Sequence, residues 1–293
     1  MSTIYERLRA SERLPGAYED WSTYREALTD YLCRIIPSDS RILILGAGGC
    51  NDLNLNGLLK QGYDITLLDR DCSLMEEGLR RQKIKEGRIS FLERDVWPIR
   101  KELCETLLLK MQQRMSIENL CDMIRQGTKA SMQETLEIKS VYDYVIAVGF
   151  HSQINSLFPA LFQTAIQEGI VNYSLSDRQK LHRFLVEEND RMVDWLQQQI
   201  FSIGQHFVFG LEYSAFAKND PHCEQLIALF EQGRAKEALS YPVSRVDGAK
   251  QLEQWIGMAY YEKKITIASI RYLIWPFLPE KQYLMVIYEC RKC

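Results

Sequence analysis

Apolar positions along the chain follow two periods. Short apolar or β-branched runs occur at 41–46, 64–69, 89–94, 142–149 and 206–213. The first four end on or just before Gly46, Asp69, Asp95 and Gly149, as buried strands that run into turns do. Between the runs, apolar residues recur every three or four positions over 17–36, 52–61, 73–85, 156–167 and 177–203. That spacing predicts helices that bury one stripe. The stretch 96–140 is long for one crossover: Leu103, Leu107, Met111 and Met115 recur every four residues, and Leu120 and Ile124 continue after a break near Ser116. It reads as two helices. Two more helices are predicted at 221–233 and 247–262, then two strand-like runs at 265–275 and 283–290. The connection between these runs, Pro276 to Lys281, is too short for a crossover helix, so they must pair antiparallel. The prediction is one α/β domain over 1–293. Its Rossmann-like, mostly parallel seven-stranded sheet has helices on both faces and closes on an antiparallel hairpin. A helical segment at 1–40 precedes the first strand, and 96–140 and 168–204 are helical inserts.

The first two strands carry the chemistry. Arg41 to Asp52 reads RILILGAGGCND, an apolar strand ending in Gly46, Ala47, Gly48 and Gly49. Glycine has no Cβ, so a ligand can lie against bare backbone there. About twenty residues on, Ile65 to Leu68 ends at Asp69. An acid in that place can accept both hydroxyl hydrogens of a ribose. Asp71 is an alternative. Asn51 and Asp52 either contact a ligand amine or cap the following helix, whose N-terminus is electropositive in any case. Together these elements describe half of a nucleotide-binding sheet.

Composition narrows the partners. A hydrophobic content of 46% over 293 residues supports a sizeable core. A net charge of −3 predicts no electrostatic footprint for a nucleic-acid backbone. No run approaches the roughly 18 apolar residues of a membrane span, and the N-terminal residues lack a signal-peptide core. The eight cysteines have no framework spacing and read as free thiols in a reducing cytosol. A cytoplasmic protein without nucleic-acid or membrane partners is expected. Cys290 and Cys293 lack a second cysteine pair, and His222 with Cys223 is too sparse a set, so no metal site is expected.

On these residues the chain resembles the class I S-adenosylmethionine-dependent methyltransferases, well over 40–150 and more loosely over the hairpin at 265–290. The resemblance implies S-adenosyl-L-methionine as cofactor. It places the methionine part against Gly46, Ala47, Gly48 and Gly49, the ribose on Asp69 and the adenine amine near Asp95. Arg70, Val96, Asn51, Asp52 and Val148 join the cofactor set. The segment Ala147 to Gln153 would flank the transferable methyl. The family turn is G-x-G-x-G, whereas Cys50 occupies the last glycine's place here. The helical inserts are expected to cap the acceptor.

Methyl transfer needs an acceptor held in line and, for some acceptors, a base. His151, just after the fourth strand, is the candidate base; the alternative is a histidine that only packs. Tyr18, Gln153, Glu212 and Tyr213 are candidate contacts to a small-molecule or peptide acceptor. No Asn/Asp-Pro-Pro-aromatic motif follows the fourth strand, which argues against amino-methylation of DNA bases. Two other readings stay open. One is an NAD(P)-dependent oxidoreductase, although Asn51 stands where its third glycine belongs. The other is a non-catalytic, cofactor-binding scaffold of the same fold.

Overall fold

Seven strands form one sheet: β1 (Arg41–Leu45), β2 (Asp64–Asp69), β3 (Ser90–Glu93), β4 (Tyr142–Val148), β5 (Gly204–Ala217), β6 (Ile265–Leu278) and β7 (Lys281–Lys292). Their order is β3-β2-β1-β4-β5-β7-β6. The first five run parallel, and β7 is antiparallel to both β5 and β6. This computed structural model describes residues 4–11, 13–85, 87–96, 99–133, 138, 141–151, 154, 156–241, 243–246 and 248–293. The Rossmann-like sheet with its reversed closing hairpin is the fold the sequence predicts. The hairpin strands are longer than their apolar cores: β6 and β7 span 14 and 12 residues. Ladder pairing carries them past the point where their apolar alternation stops.

Helices cover both faces. On one face lie α3 (Ser22–Ile35), α4 (Leu55–Lys60) and α5 (Cys72–Arg81), after two short helices, α1 (Ile4–Ser11) and α2 (Ala17–Asp20). Here Leu28 and Leu32 of α3 pack with Ile42 and Ile44 of β1 and Ile65 of β2. On the other face lie α6 (Lys101–Gln112), α7 (Ile117–Met132), α8 (Leu157–Gln167) and α9 (Leu175–Ile203). These are followed in the chain by α10 (Pro221–Glu231), α11 (Ala235–Ser240) and α12 (Ala249–Tyr261). Leu107, Leu120, Phe158 and Leu196 of these helices bury against Leu43 and Val145 of the sheet. Among the described residues, no helix is long and apolar enough to cross a membrane.

Three local differences from the predicted elements have physical causes. The helix expected from 52 starts at Leu55, because Asn54 caps it by accepting from Gly57 N at 3.0 Å. The helix expected over 17–36 breaks at Trp21, whose indole nitrogen donates to the Phe277 carbonyl at 3.3 Å and ties this turn to β6. Among the described residues, none of the helical inserts at 96–140 or 168–204 lines the cleft described below. Their apolar stripes, such as Leu107 and Met111 on α6 and Met192 and Leu196 on α9, are spent on the far face of the sheet.

Candidate functional site

The chain fills β1, β2 and β3 outward on one side of the sheet, then returns to place β4 on the other side of β1. Strands that reverse direction of build leave a crevice at their carboxyl ends, and ligands of open α/β sheets bind there. A cleft of about 1160 Å³ lies at that point.

Its floor is the glycine turn. Gly46 and Gly48 hold φ of +66° and +48°, and Cys50, in the last glycine's place, keeps a left-handed φ of +51°. The position therefore retains the backbone a glycine would adopt, with the cysteine bearing the strain. Cys50 is fully buried, and burial pushes its thiol well above the ordinary range. A Cβ on Gly46 would rest 3.5 Å from Phe150, whereas one on Gly48 would meet nothing within 4 Å. The turn is bare where it faces the cleft. It is also held from behind: a Cβ on Gly78 of α5 would lie 2.5 Å from the Gly49 carbonyl oxygen.

Asp69 ties this turn to the end of β2. Its Oδ2 accepts from Gly48 N at 2.8 Å and its Oδ1 from Asp71 N at 3.1 Å. Its carboxylate thus points at the glycine turn, while the neighbouring Arg70 and Asp71 line the cleft. Asp71 also caps α5 through Leu74 N and pairs with Arg13 at 3.1 Å. That pair draws the N-terminal segment across the mouth.

Asn51 and Asp52 line the same floor. Arg81 donates to Asn51 Oδ1 at 2.5 Å, and Arg25 to the Asn51 carbonyl at 3.1 Å. The Tyr18 ring centre is 3.8 Å from the Arg25 guanidinium carbon and 5.2 Å from that of Arg81. Burial raises the Asp52 carboxyl to about 6, against the opposing pull of its backbone hydrogen bond and Arg25.

Several expected site residues lie elsewhere. His151 follows the cleft-lining Phe150, yet its ring is fully buried. The Gln197 amide donates to its Nε2 at 2.6 Å, and burial drops its pKa to about 3. It packs behind the wall of the cleft and is not placed to take a proton from an acceptor. Tyr213 is buried against Phe230 beneath the Arg245 guanidinium, outside the cleft. Asp95 and Val96 do not line the cleft either; Val96 belongs to the core, and at the end of β3 the acid that lines the cleft is Glu93. Gln153 lies outside the described residues. Of the other expected residues, Gly46, Ala47, Gly48, Asn51, Asp52, Arg70, Val148 and Tyr18 line the cleft; Asp69 does not, its two carboxylate oxygens being turned to Gly48 N and Asp71 N.

The cleft also has walls that sequence reasoning missed. Arg13 to Ala17 and Trp21 come from the N-terminal segment, and Trp275 and Phe277 from the end of β6. The available signals were the aromatic run at Tyr18, Trp21 and Tyr24 and a proline between two aromatic residues, Trp275 and Phe277, in β6.

A glycine turn at the sheet's switch point, tied to the acid of β2, defines a nucleotide-binding α/β fold. The reversed β7 separates it from the dinucleotide fold of two repeated βαβαβ halves and matches the hairpin ending that the methyltransferase resemblance implies. Comparison with known proteins adds the following. No protein-family model matches the sequence, and no curated protein does. Among solved structures, the chain is similar to the magnesium protoporphyrin IX methyltransferase of Synechocystis PCC 6803 with bound SAM. Identity is 10%, coverage 94% of this chain and 85% of that one, and the TM-score 0.42. It is similar to a SAM-dependent methyltransferase of Methanosarcina mazei at 10% identity, covering 89% and 96%, with a TM-score of 0.45. A glycopeptide N-methyltransferase complexed with SAM gives 10%, 92%, 94% and 0.41. At these values the likeness assigns no residue a role.

Proposed function

We propose that this chain is an enzyme that binds S-adenosyl-L-methionine in the cleft and transfers its methyl group to a small-molecule or peptide acceptor. The observation that carries this reading is Gly48: bare toward the cleft, left-handed, and bonded through its N–H to the acid that ends β2. Any side chain in that place would fill the cradle. Bound there, the cofactor would supply an electrophilic methyl on a sulfonium. The chain would do the rest by positioning. Gly46 to Gly49 would support the methionine part, with the Asp52 carboxylate facing its ammonium and Arg81 near its carboxylate. The turn from Asp69 to Asp71 would face the ribose hydroxyls, and Glu93 the base. Val148 and Phe150 would keep water from the reacting atoms. With His151 behind the wall, rate enhancement rests on alignment of the reactants.

Calorimetric titration tests the reading. Saturable heat with S-adenosylmethionine and S-adenosylhomocysteine is expected. Asp69→Ala should weaken both by about 1–3 kcal/mol, the cost of orphaning buried hydrogen-bond partners. No heat at millimolar concentration of either compound would overturn the assignment.

A further inference from the structure

We infer that the acceptor is a small planar aromatic molecule bearing a hydrogen-bond-accepting atom, seated between the N-terminal segment and the end of β6. This rests on the methyltransferase reading and narrows it. The cleft, at about 1160 Å³, exceeds the roughly 300–1,000 Å³ of a site for one drug-sized ligand. Beyond the glycine turn it continues to a wall made by Leu14, Trp21, Phe150, Trp275 and Phe277.

That wall is pre-formed. Trp21 meets Trp275 edge-on at 4.8 Å and stacks on Phe277 at 5.9 Å, while Tyr24 stacks on Trp275 at 5.6 Å. The hydrogen bond from the Trp21 indole to the Phe277 carbonyl closes the arrangement. The benzo edge of Trp275 is seated against Gly149, where a Cβ would come within 3.1 Å. A cation seeks open ring faces. Here stacking between neighbours already occupies faces of Trp21, Trp275 and Phe277, so the cluster is not built as an ammonium cage. It offers ring edges and apolar carbon, which suit a flat ring in an offset or edge-on contact.

The polar requirement comes from Trp275. Its side chain lines the cleft, the residue is 4% exposed, and its indole nitrogen has no partner among the described residues. An indole N–H only donates, so its partner must be an acceptor atom. A flat ring with an oxygen or nitrogen lone pair meets this demand together with the apolar ring edges of the wall, whereas a cationic ammonium offers the indole no lone pair.

The experiment uses the full chain loaded with S-adenosylhomocysteine, titrated calorimetrically with 1-naphthol and, separately, with the 1-naphthylmethylammonium cation. Saturable binding of 1-naphthol is expected, with the cation weaker by roughly tenfold, the scale of one lost hydrogen bond to the Trp275 indole. Phe277 is half-buried, so Phe277→Ala should fold. It should lose about tenfold in 1-naphthol affinity, while Phe277→Tyr keeps it and both variants still bind S-adenosylhomocysteine. A cation that binds as tightly as 1-naphthol, no saturable 1-naphthol binding to the loaded protein, or an unchanged affinity in Phe277→Ala would each overturn the inference and leave the methyltransferase reading standing. Failure of S-adenosylhomocysteine to bind would remove both.

Discussion

His151 is fully buried and Asp52 half-buried at the floor of the cleft, and loss of surrounding water moves them in opposite directions, to about 3 and about 6. The consequences for stability follow from which state binds protons. His151 stays neutral in the folded chain and takes a proton from about pH 6.5 downward when unfolded, so its contribution is intact above pH 6.5 and drains away toward pH 3. The slope reaches at most about 1.4 kcal/mol per pH unit. Between pH 6.5 and about pH 4 the Asp52 contribution runs the other way, so the His151 effect is read as a difference: urea unfolding should give a pH slope less positive by up to about 1.4 kcal/mol per unit in His151→Leu than in the wild type. An unchanged slope would mean the ring is not held neutral. Asp52 has the other sign: its folded carboxyl titrates above its ordinary 3.8, so stability falls as pH rises from 3.8 through about 6 and stays lowered beyond. Asp52→Asn should therefore raise the stability of the ligand-free protein at neutral pH by about 1–3 kcal/mol, with no gain near pH 4. If Asp52 also faces the cofactor's ammonium, the same variant binds S-adenosylmethionine more weakly. Thermal melts with and without ligand read both effects.

At the level of elements, α5 is a structural part of the binding turn although its Gly78 does not line the cleft. The approach of the Gly49 carbonyl to Gly78 leaves no room for a Cβ. Gly78→Ala should cost about 1–3 kcal/mol of stability through overpacking and also displace the glycine turn. Denaturant unfolding together with S-adenosylhomocysteine titration would check this, and full binding in the variant would show that the turn is held by other contacts. The N-terminal segment is the opposite case. It is tied down by exposed ion pairs, Arg13 with Asp71 at 3.1 Å and Arg7 with Glu168 at 2.7 Å. Exposed pairs of this kind contribute about 0–1 kcal/mol each and weaken with salt. α9, by contrast, is anchored by a long buried stripe that includes Met192, Val193, Leu196 and Ile200. Trypsin should cut after Arg13 long before it cuts within α9, and S-adenosylhomocysteine should slow the first cut only. Equal protection of both sites would argue against a ligand-covering role for the segment.

For the whole molecule, the sheet was legible because its causes are local. Four apolar residues before Gly46 read as a short buried strand, and the seven residues between the last two runs are too few for a crossover and can only join antiparallel partners. The need for a residue without a Cβ at Gly48 is likewise a property of one position. The inserts were legible as helices but not as to where they pack, because an amphipathic stripe says that one face is buried and not against what. The site divides along the same line. By itself the sequence determined the strands, the helices, the glycine turn and the acid that follows β2, since periodicity and backbone freedom belong to a few adjacent residues. Only the tertiary structure decided that Trp21 meets Trp275 and Phe277, that Glu93 rather than Asp95 reaches the cleft, and that His151 turns inward to Gln197. Those outcomes depend on how the two faces of one sheet divide the apolar side chains of the whole chain, and no local window contains that information.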